Sequence, residues 1–328
     1  MLKDTFNRTV NNLRISVTDR CNFRCTYCMP EEGMVWMDKS ELLSYEEITR
    51  LARIFSELGV TKIRITGGEP LMRKDVHSLV SMLAGIDAIK DIAMTTNGYF
   101  LNEQAELLAR AGLNRINVSL DSLDAVKFRE ITRRDYLHRV FNGLEKVDSH
   151  GIAPIKVNAV IIRDINDNEV SEFAILAREK PYIIRFIEFM PIGCDDGWNS
   201  ERVVPSQEIR ERIEHELRTK LVPVEYHGLQ PSDRFIFEDG KGEIGFISSV
   251  SEPFCEHCNR VRITSDGKLR TCLFSHHETD LKKLIRNGED DETIKAIITE
   301  AVWNKEEGHL INQPEFKRPD RTMSQIGG

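Results

Sequence analysis

A chain of 328 residues, 40% hydrophobic and with a formal charge of −8, can bury a substantial core but is too acidic for general nucleic-acid binding, which needs a basic surface to neutralise phosphate. No apolar run approaches the eighteen or so residues of a membrane span, and the start, MLKDTFNR, lacks a signal-type apolar segment, so a cytoplasmic protein with no membrane and no nucleic-acid partner is expected. Seven cysteines, an odd number, weigh against a disulfide framework and leave thiols free for metal.

In chain order, Leu13–Val17 alternates apolar and polar residues as a strand does. Cys21, Cys25 and Cys28 follow directly in the run CNFRCTYC. Three thiolates are one short of what an iron–sulfur cube or a tetrahedral metal needs, so one metal position stays open for a small ligand. A loop at a strand's C-terminal end is also where α/β folds place their chemistry. Structural zinc is the competing reading, but no histidine precedes His77 and no close cysteine pair recurs before Cys255 and Cys258.

Ser44 then reads as an N-cap with Glu47 closing a capping box, and Ile48, Leu51, Phe55 and Leu58 share one helix face up to Gly59. The next strand, Lys62–Thr66, runs into Gly67-Gly68-Glu69-Pro70. Paired glycines let the backbone approach a ligand, and Glu69 with nearby carbonyls could accept from an ammonium. Alone this is often only a tight turn; one βα unit after the cysteine loop, both motifs converge on one barrel mouth.

Further strands at Ile92–Thr96, Arg115–Leu120, Ile155–Ile161 and Ile183–Phe189 bring the count to six βα units. Six are fewer than the eight of a closed barrel, so the expected fold class is α/β, an incomplete open parallel β/α barrel over residues 1–220. A smaller α+β region, 221–328, follows with short strands at Asp233–Glu238, Glu243–Ser248 and Arg260–Thr264. The turn Ser265-Asp266-Gly267-Lys268 makes Arg260–Cys272 a hairpin. Helices are expected around Leu281–Arg286 and Thr293–Trp303, then a polar tail, Asn312–Gly328.

This region holds a second trio, Cys255, Cys258 and Cys272. Its spacing suits either zinc completed by His257, His276 or His277, or a second cluster with an open iron. Arg260 and Arg262 lie two apart on a strand and face one way, a pair apt for phosphate, though a solvated charged strand would look the same. Cys194 reads as incidental.

The combination of Cys-x3-Cys-x2-Cys with Gly-Gly-Glu-Pro resembles the radical S-adenosylmethionine superfamily. Within it the chain resembles the GTP 3′,8-cyclase family of molybdenum cofactor biosynthesis over nearly its full length, through SVTDRCNFRCTYCMP, KIRITGGEPLMR, TTNG, RINVSLD, the run at 185–190, the second trio with its hairpin, and the terminal Gly327-Gly328. The resemblance implies a 4Fe–4S cluster on Cys21, Cys25 and Cys28 that chelates S-adenosylmethionine, with Tyr27, Gly68, Ser119 and Met190 contacting that cofactor. Ser119 as a mere strand-end cap and Met190 as core filler are the plain alternatives. It implies a second 4Fe–4S cluster on Cys255, Cys258 and Cys272, whose open iron binds guanine, and GTP contacts from Arg14, Arg64, Thr95, Lys156, Arg260 and Arg262.

The implied reaction uses a 5′-deoxyadenosyl radical to take the C3′ hydrogen of GTP, and the ribose radical attacks C8. Arg260, Arg262, Gly327 and Gly328 are the expected catalytic residues, the flexible glycine tail reaching into the active site rather than serving as a sulfur-carrier terminus. Implied partners are a flavodoxin-like or chemical electron donor and, as product acceptor, cyclic pyranopterin monophosphate synthase; the chain is expected to be a monomer or homodimer. Arg14, Arg64 and Lys156 would be costly facing inward without an anion, unless Glu69, Glu188 or Asp121 pair with them. Two other readings compete: a radical enzyme modifying a peptide, and a metal-stabilised RNA-binding module. Net acidity and the lack of aromatic–basic interleaving weigh against the second.

Overall fold

An N-terminal hairpin, β1 (Leu2–Lys3) and β2 (Thr9–Val10), leads into six longer strands: β3 (Asn12–Ser16), β4 (Lys62–Thr66), β5 (Asp91–Thr96), β6 (Arg115–Ser119), β7 (Ile155–Ile161) and β8 (Tyr182–Glu188). The computed structural model describes residues 1–30, 32, 34–192, 197–225 and 231–327. Each of β3 to β8 pairs in parallel with the next. The intervening helices cover one face, where Leu13, Ile15, Ile63, Ile65, Met94, Val118, Val157 and Phe186 join the core. Because side chains alternate along a strand, the other face carries Arg14, Arg64, Thr95, Asn117, Lys156 and Arg185.

The first expected helix forms over Tyr45–Glu57, with the Ser44–Glu47 capping box complete in both directions and Ile48, Leu51, Ile54 and Phe55 buried. Gly59 ends it at φ +100°, a left-handed conformation that suits glycine.

The C-terminal third adds β9 (Leu221–Pro223), β10 (Asp233–Phe237), β11 (Glu243–Ile247), β12 (Arg260–Ile263), β13 (Lys268–Arg270) and β14 (Thr279–Asp280). These strands join the same sheet at opposite edges: β11 pairs in parallel with β8, and β12 in parallel with β3. The resulting order is β14-β13-β12-β3-β4-β5-β6-β7-β8-β11-β10-β9, twelve strands whose two ends do not pair, so the barrel is open as expected. Residues 248–259 must therefore cross from one edge to the other, and they carry Cys255 and Cys258. Topology places the second trio across the open side of the barrel.

The β12–β13 hairpin forms, with Gly267 at φ +80°. The helices Leu281–Arg286 and Asp291–Trp303 form as well. A helix at Ser206–Leu217 was not anticipated; it buries only Ile209 and Ile213, too sparse an apolar face to announce itself. The polar tail also holds more than loop, since Met323–Ile326 is a short helix with a Thr322–Gln325 capping box.

Candidate active site

The loop of the first trio is fastened by its neighbours' polar groups. Arg24 donates to the carbonyls of Cys21 at 2.6 Å and Phe23 at 2.8 Å, and Arg134 to that of Asn22 at 2.9 Å. Asn97 donates to Asn22 Oδ1 at 2.8 Å and lies 3.8 Å from Cys21 Sγ. Tyr27 donates to Asp121 Oδ2 at 2.6 Å, its ring edge-on to Phe189. Burial pushes the Cys21 thiol up to about 12, with Glu69 adding to it. Burial also drives Cys25 well upward, reinforced by Asp121 and the thiols of Cys28 and Cys21. A positively charged metal centre would reverse those shifts, so the site's chemistry fits one.

Gly67 and Gly68 serve the cysteine loop directly. The Gly68 amide donates to the Thr18 carbonyl and that of Glu69 to the Arg20 carbonyl, each at 2.7 Å. A Cβ on Gly68 would fall 2.5 Å from the carbonyl oxygens of both Asp19 and Arg20. Glu69 is fully buried and accepts from Leu71 N, Thr96 Oγ1 and Asn97 N, while burial raises its carboxyl to about 7. Gly68→Ala is therefore expected to destabilise this loop by about 1–3 kcal/mol, as overpacking does, and to weaken iron retention by the first trio. Iron analysis on a background lacking the second trio checks this; unchanged retention would show that the close packing has no bearing on the thiols.

On the inner face, β12, β3 and β4 set Arg262, Arg14 and Arg64 side by side in register. Neighbouring strands lie about 4.8 Å apart, and like charges so placed destabilise a sheet. Lys156 and Arg185 face the same interior from β7 and β8. Arg185, 6% exposed, donates to Asn158 Oδ1 and Asn117 Oδ1, both at 2.8 Å. Among the described residues none of Arg14, Arg64, Lys156, Arg185, Arg260 and Arg262 makes an ion pair, and the buried Nε of Arg14 has no partner.

Pairing with Glu69, Glu188 or Asp121 is overturned. Glu69 is used as described, Glu188 accepts from Val250 N, Ser251 N and Ser251 Oγ, and Asp121 from Tyr27 and Val160 N. Burial lowers Arg14 and Arg64 well below their ordinary range, Arg262 to about 9 and Lys156 to about 7, and the neighbouring cations push the same way. Thr95 lies next to these, 3.4 Å from Asn117 Nδ2. The sequence reading missed Arg185. Its signal was a lone cation in the otherwise apolar run Tyr182–Ile187.

At the second trio, burial raises the Cys258 thiol, but Arg260 and Lys305 outweigh it and bring the group down to about 6. Arg260 also stacks over Phe254, 4.8 Å from the ring centre. Among the described residues, no three His, Cys, Asp or Glu side chains are drawn together closely enough to hold a single ion. The donor chemistry of three thiols, one of them held low by neighbouring cations, fits a thiolate-bound metal centre, and zinc and a cluster with an open iron both use such donors.

The tail reaches this interior. Arg321 forks onto Asp266 at 3.0 and 2.9 Å and reaches Glu278 at 2.7 Å. Ile326, 1% exposed, packs with Ile192, Val203, Val250, Phe274 and Ile311, and the half-buried Met190 lies against that cluster. The Gly327 carbonyl accepts from Arg262 Nη1 at 2.8 Å, with φ +85°. Ser119, half-buried, ends β6 facing the interior. Gly328 and Cys194 lie outside the described residues.

The sequence profile of the Radical SAM superfamily matches residues 15–177, and that of Molybdenum Cofactor Synthesis C matches residues 182–311. A protein of Thermodesulfovibrio yellowstonii called GTP 3′,8-cyclase is 48% identical over 328 residues, covering 100% of both chains. One of the same name from Alkaliphilus metalliredigens is 43% identical over 100% of both, and one from Streptomyces coelicolor is 42% identical over 100% of this chain and 96% of its own. Streptococcus suis SuiB, solved with S-adenosylmethionine bound, superposes with a TM-score of 0.63 at 15% identity over 95% of this chain and 77% of its own, a likeness of fold alone.

Proposed function

Because this chain belongs to the GTP 3′,8-cyclase family of radical S-adenosylmethionine enzymes, we propose that it converts GTP to (8S)-3′,8-cyclo-7,8-dihydroguanosine 5′-triphosphate, the first step of molybdenum cofactor biosynthesis. The observation that carries this reading is the file of Arg262, Arg14 and Arg64 with Lys156 and Arg185 nearby, all without an ion pair among the described residues. Buried cations left unpaired are costly, and a triphosphate supplies the missing charge. A peptide substrate gives no reason for so many.

Cys21, Cys25 and Cys28 hold the 4Fe–4S cluster, with Tyr27, Gly68, Ser119 and Met190 about the S-adenosylmethionine. When bound, this pair supplies a carbon-centred radical able to take hydrogen from an unactivated carbon. Arg14, Arg64, Lys156, Arg185 and Arg262 hold the phosphates, and Thr95 lies beside them. Cys255, Cys258 and Cys272 carry a second 4Fe–4S cluster that faces the guanine, with Arg260 beside it. In this reading 1–220 is the cofactor half and 221–328 the guanine half of one cavity. The Gly327 carbonyl accepts from Arg262 Nη1 in this interior, and the Gly327-Gly328 tail supports turnover. The electron comes from a flavodoxin-like donor or a chemical reductant, and cyclic pyranopterin monophosphate synthase takes the product. The setting is the cytoplasm; no helix among the described residues is long and apolar enough to cross a membrane.

Anaerobic reconstitution with iron and sulfide, then assay of 5′-deoxyadenosine and nucleotide products with and without GTP, tests the proposal. Cleavage that rises with GTP, with a cyclised nucleotide of GTP's own mass, supports it. Cleavage indifferent to GTP would overturn the substrate and point to a peptide; salt-sensitive RNA binding without cleavage would overturn the chemistry as well.

Lys156 gives a pH prediction. Its folded value of about 7, lowered by burial and then by Arg185, Arg115 and Arg64 against Glu243, lies below the unfolded one, so between them the unfolded chain binds the extra proton. Without nucleotide this contribution makes stability rise with pH from about 7 to about 10. Phosphate binding restores the proton, so Kd for GTP should climb as much as about tenfold per pH unit above 7. Calorimetry above pH 7.5 in buffers of different ionisation heat should register proton uptake that Lys156→Met lacks; equal uptake in both would refute the assignment.

A further inference from the structure

Outside the cations already described, one more is buried with no ion pair among the described residues. Lys305 is 3% exposed; its ammonium donates to the Arg260 carbonyl at 3.1 Å and to the Thr271 carbonyl. Arg260 lies two residues after Cys258, and Thr271 immediately precedes Cys272. The next residue, Glu306, accepts from Thr271 Oγ1 at 2.6 Å.

Arg8, 8% exposed and paired with Asp4 at 2.5 Å, reaches the same stretch from the N-terminal hairpin. It donates to the carbonyls of Glu306 at 2.5 Å and Glu307 at 2.6 Å, and to that of Cys255 at 2.8 Å. Gly308 completes the contact, since a Cβ there would lie 3.4 Å from Cys255 Sγ. Residues 305–308 with Arg8 thus touch all three chain segments that carry the second trio.

Resting on the reading of that trio as a second cluster, we propose that Lys305 and Arg8 are positioning residues for it. Together they gather its three segments, and Lys305 supplies a fixed positive charge against the thiolates. Two carbonyl dipoles and the nearby Glu306 carboxylate, which against burial is held below its usual range by hydrogen bonds from Ser275 and Thr271 and then by the Lys305 charge, face this buried ammonium. Thiols that lose their protons to iron would add further negative charge beside it. A cation held there favours the more negative, reduced state of the cluster, so its potential is higher with Lys305 than without. Arg8 is already neutralised by Asp4, and its part is mechanical.

The test uses the full chain with Cys21, Cys25 and Cys28 changed to Ser, so that only the second centre reports. Iron and sulfide per chain, iron loss to a chelator and a potentiometric titration followed by electron paramagnetic resonance are measured. Lys305→Met should shift the midpoint potential negative and speed iron loss about ten- to hundredfold; Lys305→Arg should restore the potential. Arg8→Gln should speed iron loss with little change in potential, and it keeps the proposal testable if Lys305→Met does not fold. Parental potential and iron retention in both variants would overturn the inference while leaving the second cluster standing. A background chain that binds no iron–sulfur centre would overturn the cluster reading and this role together.

Discussion

Gly327→Ala will bind GTP and retain its iron yet form cyclised nucleotide at least about a hundredfold more slowly than the parent, the scale of loss when an active-site group moves by an ångström. Two independent constraints meet at this residue. Its φ of +85° is one that side-chain-bearing residues rarely adopt, and its Cβ would fall 2.7 Å from both Ser16 Cβ and Thr66 Oγ1. Those two residues end β3 and β4, so neither strand can give way without disturbing the register that aligns Arg14 with Arg64. The alanine must therefore unseat the tail, and Arg262 loses its carbonyl partner. Arg321→Gln, which cuts the tail's anchor to Asp266 and Glu278, should act in the same direction but more weakly, because Ile326 still packs. Product assays at saturating GTP, with binding measured separately, distinguish slowed turnover from lost affinity. Parental turnover in Gly327→Ala would refute the role of the tail.

Arg64→Met should behave in the opposite sense from most buried substitutions. Without nucleotide it is expected to be more stable than the parent by about 1–3 kcal/mol, because it removes one of three guanidiniums in register and a desolvation cost that the charge of Asp91 offsets only weakly. Added GTP stabilises the parent by RT ln(1 + [GTP]/Kd), roughly 2.7 kcal/mol at a hundred times Kd, and should stabilise the variant far less. The two unfolding curves therefore exchange order as GTP rises. A variant less stable than the parent in the absence of GTP would mean that Arg64 serves the fold rather than an anion.

Much of this was legible from residue order. Strict alternation in β3, β4 and β7 put Arg14, Arg64 and Lys156 on the face away from the helices, and Ser44 with Glu47 fixed a helix start. Arg185 stayed hidden because apolar residues stand on both faces of its strand and blur the alternation, and because its partners Asn117 and Asn158 come from two other strands. Periodicity shows which way a side chain points, but not what lies opposite. The fate of Glu69, Glu188 and Asp121 was equally out of reach, since most of the groups that occupy them lie far along the chain. The tail looked polar by composition; Ile326 with Phe316 and Met323, the Arg321 fork and a four-residue helix seat it.

The pairing of β12 with β3 also sets an order of events during synthesis. The outer edge of β3 is made among the first twenty residues, and its partner comes only at Arg260–Ile263. At roughly 5–20 residues per second, that edge emerges from the ribosome on the order of ten to fifty seconds before β12 can cover it. A bare strand edge invites pairing with another chain. The groups that fasten the loop of Cys21, Cys25 and Cys28, from Gly68, Asn97 and Arg134, are all translated before β12, so the fastenings of the first trio are made while that edge is still bare.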